Sequence, residues 1–237
     1  MGSSARAISA ELDSLADPAQ AAGLQRFFKT GPGEYGEGDV FLGIRVPVLR
    51  RVARAHATAS PETVRRLLAS EVHEHRFVAL AILCRQFDRA DGVDRDRITD
   101  FYLANRDRVN NWDLVDTSAP YLLADRVRRA PRKLLDPLLA SASVWDRRIA
   151  VLATFPLIRD GRFEPTLGAC ERLLSDDHDL IHKATGWMLR EVGKRDPDVL
   201  REFLDRHAAE MPRTMLRYSI ERLPEPERKR YMAAPRA

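Results

Sequence analysis

The chain is 237 residues long with 44% hydrophobic side chains, enough apolar material for a sizeable core and too much for a disordered protein. Its formal net charge is only +4, but of 39 basic residues just five are lysine, and the isoelectric point is 9.3. An arginine excess suits a polyanionic partner, because guanidinium binds phosphate bidentately, and it also arises in a GC-rich genome without any function.

Near the N-terminus, "MGSSARAISAELDSL" lacks the continuous apolar stretch of a signal peptide, and no later run approaches the ~18 residues of a membrane span. The expectation is a cytoplasmic protein with no membrane contact. Residues 1–30 read as an N-terminal helical segment. Residues 31–40 form a Gly-rich loop around "KTGPGEYGEGD", which has no GK[ST] ending and follows no strand, so a phosphate-binding loop is excluded and a flexible connection is expected. Residues 41–237 read as a repeat array within one domain.

Period-2 alternation is nowhere sustained, whereas helical spacing is frequent. "HRFVALAILCRQF" puts Phe77, Leu80, Cys84 and Phe87 on one stripe, and "SVWDRRIAVLATF" does the same with Trp145, Ile149 and Leu152, which places Trp145 in the core. Cys84 and Cys170 sit in apolar runs without CxxC or histidine spacing, as buried thiols do in a reducing compartment. Pro131, Pro165 and Pro197 fall 34 and 32 residues apart, each opening a helix, a short break and a second helix; Pro61 opens a similar unit. That period predicts an all-α fold, a right-handed α-solenoid of HEAT-like helical pairs with a concave basic groove.

Fifteen to eighteen residues past each opening proline stand Arg76, then Arg147 and Arg148, then His182 and Lys183, then Arg213. Equivalent positions in a solenoid line up, so these could form a cationic track for a DNA backbone, where helix starts already offer free N–H groups. Solvated surface arginines are the competing explanation.

In "NNWDLVD", Trp112 and Asp116 stand one turn apart on a helix while Leu114 and Val115 point elsewhere. In "HDLIHKATGWMLREV", Trp187 falls roughly 120° from the stripe of Ile181, Ala184, Thr185, Met188 and Val192, one turn after Lys183. Both aromatics fit a binding wall or burial between repeats. Asp113 is too close to Asp116 on the helix to form an acid and base pair with it, and reads as a helix-start or supporting residue. No GxSxG, HExxH or metal-spaced carboxylates occur, so neither a metal nor a cofactor is expected.

At "FLGIRVPVLRRVAR", "NNWDLVD", "SVWDRRIAVL" and "IHKATGWMLRE" the chain resembles the AlkD family of HEAT-like DNA glycosylases, over most of its length after the N-terminal segment. The resemblance implies a metal-free, monofunctional glycosylase that excises cationic N7-alkylguanine and N3-alkyladenine from double-stranded DNA without flipping the base. By position it implies Asp116 as catalytic carboxylate, Trp112 and Trp187 as active-site aromatics, and Arg148 as a phosphate contact. Arg147, Arg76, Lys183 and Arg213 join it as expected DNA-binding residues, on a monomer that is nucleoid-associated when bound. One departure is Asn111, where the best-known members carry a second tryptophan. Two alternatives stand beside this: a DNA-binding repeat protein without catalysis, and a helical scaffold for a protein partner.

Overall fold

Six α-helices of the computed structural model, which describes residues 3–233, precede the segment that carries Trp112. They are α1 (Ala5–Asp13), α2 (Pro18–Phe27), α3 (Val46–Ala55), α4 (Pro61–Leu68), α5 (His73–Arg89) and α6 (Gly92–Ala104). A 3-10 turn (Arg106–Arg108) leads into α7 (Trp112–Leu122), and the chain divides into two units at Ser118 and Ala119, inside that helix. The second unit continues with α8 (Ala124–Arg129), α9 (Pro131–Leu139), α10 (Val144–Ala153), α11 (Phe155–Arg159) and α12 (Glu164–Arg172). After these come α13 (Asp179–Arg195), α14 (Pro197–His207), α15 (Arg213–Ile220) and α16 (Glu225–Met232). The all-α helical-repeat fold expected from the sequence is the fold that forms; residues 1–2 of the expected N-terminal segment and 234–237 of the expected array lie outside the described residues.

Local chemistry explains where helices begin. The Ser60 hydroxyl accepts the Thr63 N–H just before Pro61, and the Asp196 carboxylate accepts the N–H groups of Asp198 and Val199 around Pro197. Pro131 opens α9, and Pro165 stands in the first turn of α12. The prolines therefore do mark the repeat.

In the first unit α5 is the central element, packing on α3, α4 and α6 and burying Phe77, Val78, Leu80 and Ile82. In the second, the second helices of successive pairs pack in series, α10 on α13 and α13 on α15, so a residue near the start of one stands beside its counterpart in the next. A core of Leu189, Leu200, Phe203, Leu204, Met215 and Leu216 joins the last pairs.

Gly186 makes the α13 and α15 contact possible. A Cβ there would lie 2.5 Å from the Met215 carbonyl oxygen, which belongs to backbone and cannot swing aside. Gly186→Ala is therefore expected to lower stability by about 1–3 kcal/mol in urea denaturation. Gly168→Ala, in α12 with nothing within 4 Å of the added methyl, should be neutral or gain a few tenths of a kcal/mol.

Cys170 is fully buried, as expected. Cys84 is partly exposed, but its sulfur is directed at the Thr117 carbonyl 3.6 Å away, and burial of the thiol pushes its pKa up to about 12. Among the described residues no helix is long and apolar enough to cross a membrane.

Candidate active site

The start of α7 separates two kinds of residue. Leu114 and Val115 are fully buried, whereas Trp112 and Asp116, one turn apart, are both partly exposed. A helix that presents an indole and a carboxylate together, outside its apolar face, is what the sequence predicted here.

Trp112 is held from behind by a stack of rings. It lies parallel to Phe28 at 5.1 Å, Phe28 is parallel to Phe41 at 4.9 Å, and Phe41 is parallel to the His73 imidazole at 4.4 Å. Phe27 meets Phe28 and Trp112 edge-on, at 5.1 and 6.0 Å, and remains 63% exposed. Stacks of this type contribute ~0.5–1.5 kcal/mol per ring pair beyond burial, which orients the indole without enclosing it. Phe27, Phe28, Phe41 and His73 were not among the residues expected at the site. The adjacent pair of phenylalanines ahead of a glycine-rich loop was the available signal.

That loop is tied down rather than flexible, which corrects the sequence expectation. Gly36 donates to the Lys29 carbonyl at 3.0 Å, and its hydrogen faces the Phe28 carbonyl so closely that a Cβ would come within 2.5 Å of it. Val40 pairs with the backbone on either side of Val72, at Glu71 and His73. The anchor is ionic: Asp39 is buried against Arg76, at 2.6 Å, against His73 and against the Asn111 side-chain amide. Asn111 also accepts the Trp112 N–H at 2.8 Å, so the residue that departs from the family pattern links the loop to α7. Glu74, equally buried, accepts the backbone N–H groups of Leu42, Gly43 and Ile44.

Burial alone would raise the Asp39 pKa, but the His73 hydrogen bond and the Arg76 charge outweigh it and hold the carboxyl below its ordinary value. For His73 the balance runs the other way in sign. Burial depresses the imidazole, while the charge and hydrogen bond of Asp113 and the hydrogen bond of Asp39 raise it to about 9. Asp113 thus supports the helix start, as expected, by receiving His73 Nε2 at 2.8 Å.

The recurring basic residues turn out to share a structural task. Arg76 Nη1 donates to the carbonyls of Ser70 and Glu71, and Arg147 Nη1 to those of Ser141 and Ala142, the same two offsets in the chain. His182 reaches the Asp176 carbonyl at the first of those offsets. Each clamps the turn leading into its own helix by giving its peptide carbonyls a donor. Arg76 is 1% exposed and cannot touch a DNA backbone, so its expected role is corrected. Arg148 is 5% exposed and donates to the Leu180 carbonyl at 2.6 Å, joining α10 to α13. Arg147 is half-buried and paired with Asp176 at 2.6 Å, and Arg213 donates to the Met232 carbonyl. Lys183 forms an exposed pair with Asp179 at 2.7 Å, of the weak kind that a phosphate can displace.

Trp187 stands off the buried stripe of α13 as predicted, partly exposed, its indole N–H on Glu191 at 3.0 Å. Trp145 differs from expectation. It is only half-buried, because it occupies the first turn of α10, beyond the fully buried Ile149 and Leu152 of its stripe. A cavity of about 390 Å³ between α9 and α12 holds none of the candidate residues.

Comparison with solved structures finds the same fold in a chain described as "Predicted DNA alkylation repair enzyme from Enterococcus faecalis". The TM-score is 0.69 and the identity 18%, over 89% of this chain and 97% of that one, a likeness that speaks for the fold alone. No curated protein matches the chain. A family model described as "DNA alkylation repair enzyme" matches residues 8–223. The chain belongs to that DNA alkylation repair family, and its role is in the repair of alkylation damage.

Proposed function

We propose that the protein is a monofunctional DNA glycosylase that hydrolyses the N-glycosidic bond of cationic alkylpurines, N7-alkylguanine and N3-alkyladenine, in double-stranded DNA. The observation that carries this reading is the pair of Trp112 and Asp116, one turn apart and both partly exposed, beside the fully buried Leu114 and Val115. An alkylated purine of this type already bears a positive charge and leaves readily. As the C1′–N bond breaks, its electron pair neutralises the departing base and positive charge develops on the deoxyribose. Asp116 stabilises that oxocarbenium-like sugar and orients the water that attacks C1′, whose proton passes to the carboxylate or to solvent. The Trp112 face adds ~0.5–2 kcal/mol toward the same cation.

In the second unit, Trp187 offers a further π-face, and Lys183, Arg213 and Arg147 supply charge for the phosphate backbone. No metal or cofactor takes part. The base is not extruded, so the few kcal/mol of unstacking are not incurred, and selectivity follows from the charge of the lesion. A monomer acting on nucleoid DNA suffices.

The test is base release from duplexes carrying N7-methylguanine or N3-methyladenine. Release above the spontaneous rate, with none from a neutral lesion such as hypoxanthine, is expected. DNA binding without release would replace this reading by a non-catalytic one. Affinity for duplex DNA should fall steeply with salt, since each neutralised phosphate contributes about −0.9 to the log–log slope; affinity indifferent to salt would point to a protein partner instead.

A further inference from the structure

The ionic junction behind Trp112 has a feature that packing alone does not require. His73 is 3% exposed and touches two carboxylates at once, Nδ1 to Asp39 Oδ2 at 3.2 Å and Nε2 to Asp113 Oδ2 at 2.8 Å. A neutral imidazole carries one N–H, so facing two carboxylates it would set a lone pair against an anionic oxygen. Only the doubly protonated ring satisfies both. Three separate segments meet on it: the Gly-rich loop through Asp39, α5 through His73 itself, and α7 through Asp113.

The same ring also ends the stack that reaches Trp112 by way of Phe41 and Phe28. Asp113 Oδ1 accepts the Leu114 N–H at 2.8 Å, so the carboxylate that grips His73 is fixed to the first turn of α7 by its other oxygen. Polar and stacking contacts therefore converge on the turn that presents Trp112 and, one turn on, Asp116.

We propose that His73 is a positioning residue for this site: as a buried imidazolium bridging Asp39 and Asp113, it sets the orientation in which α7 presents Trp112 and Asp116. The inference rests on the glycosylase reading only for its kinetic consequence. The charged groups around the ring are Asp39 from the loop, Asp113 from α7, and Arg76 and Glu74 from its own helix. Arg76 is ion-paired with Asp39 and donates to two carbonyls, with Arg108 beyond it, and Glu74 is occupied by three backbone N–H groups.

Loss of the second proton removes one of the two contacts. Burial lowers and the two carboxylates raise the His73 pKa, to about 9 against an ordinary 6.5. A group raised on folding contributes stability that is full below about 6.5 and is lost as pH rises through about 9. The hold on the first turn of α7 should thus be intact at neutral pH and slacken in mild alkali.

Two measurements test this. In nitrogen-15 NMR of the full chain, both His73 ring nitrogens should carry protons at pH 7.5 and titrate near pH 9; a neutral single tautomer at pH 7.5 overturns the inference. In protein carrying Trp145→Phe and Trp187→Phe, Trp112 emission should show the same alkaline transition, and His73→Gln, which keeps one donor, should abolish it. With wild-type tryptophans, His73→Gln should slow single-turnover excision about 10- to 100-fold, as misplacement by about an ångström does, while changing DNA affinity less than about twofold. Excision at the wild-type rate with unaltered Trp112 emission overturns the inference. If wild-type protein releases no base, the glycosylase reading fails, while the NMR and fluorescence results still decide the role of His73. Should His73→Gln fail to fold, the wild-type titrations decide alone.

Discussion

Asp116→Asn should reduce excision of N7-methylguanine from duplex DNA by about 100- to 1000-fold in single-turnover assays, bringing release close to the spontaneous rate. The size follows from electrostatics. A carboxylate about 4 Å from a unit positive charge contributes ~4 kcal/mol at an effective dielectric of about 20, and only ~1 kcal/mol if water fills the gap. The first value corresponds to roughly a thousandfold in rate, the second to roughly fivefold. Removal of one preorganised electrostatic group in hydrolytic enzymes typically costs ~3–4 kcal/mol, which favours the larger figure once DNA has covered the face. Asparagine preserves shape, and Asp116 is partly exposed, so folding should be unaffected. DNA affinity should also hold within about threefold, since the substitution removes a negative charge rather than a phosphate contact. Equal excision by the variant and wild type would end the claim that Asp116 acts in the chemistry; a fivefold loss would mean that the carboxylate works through solvent.

How much of this site was legible in the sequence depends on whether its partners are local. The off-stripe placement of Trp112, Asp116 and Trp187 follows from 100° per residue against neighbouring buried residues, and it held in each case. Prolines at helix starts and the 32- to 34-residue period are likewise local signals. The run "HEHR" at residues 73–76 shows the limit. All four of these polar side chains are buried, and His73, Glu74 and Arg76 find partners that arrive from elsewhere in the chain, Asp39, the backbone of 42–44 and Asp113, while His75 meets the nearby Ser70 hydroxyl. Spacing along one helix carries no information about a carboxylate 30 to 40 residues away.

Part of the recurrence of basic residues at second-helix starts has a related cause. Their recurrence was real, but recurrence marks any task that each repeat must perform, and Arg76, Arg147 and His182 bond to the carbonyls of the preceding turn. A phosphate contact and a turn clamp demand the same residue type at the same place. Exposure separates them: the Lys183 side chain is 41% exposed, against 1% for that of Arg76. Trp145 shows the converse error: the stripe was assigned correctly, but a residue in the first turn of α10 has no preceding turn to cover it.

The largest expected loss of stability comes from the ion pair behind the site. Arg76→Ala should destabilise the protein by ~3–5 kcal/mol in urea denaturation at pH 7, the usual cost of leaving one member of a buried pair uncompensated. Arg76 and Asp39 are 1% and 5% exposed at the side chain and lie 2.6 Å apart. That close contact is poorly aligned as a hydrogen bond, and the better bonds of the guanidinium run from Nη1 to Ser70 and Glu71, so the substitution also removes one donor from each of two part-buried carbonyls, which keep Arg108 Nη2 and the Val40 N–H respectively. Arg172→Ala removes a pair with Asp136 that is about half exposed on both sides, and should cost no more than ~0.5 kcal/mol. Acid sharpens the contrast. In wild type, Asp39 has a folded pKa below its ordinary value, so its contribution is present above about pH 4 and is lost as pH falls through the lowered value. In Arg76→Ala that depression is weakened and burial pushes the Asp39 pKa upward, so protonation should relieve the variant at a higher pH than in wild type and narrow the gap between them as pH falls. Asp39→Asn combined with Arg76→Met, which removes both charges together, should recover part of the loss at pH 7. A gap between Arg76→Ala and wild type that neither acid nor the double variant narrows would mean that the two carbonyl bonds, rather than the charge pair, hold the loop against α5.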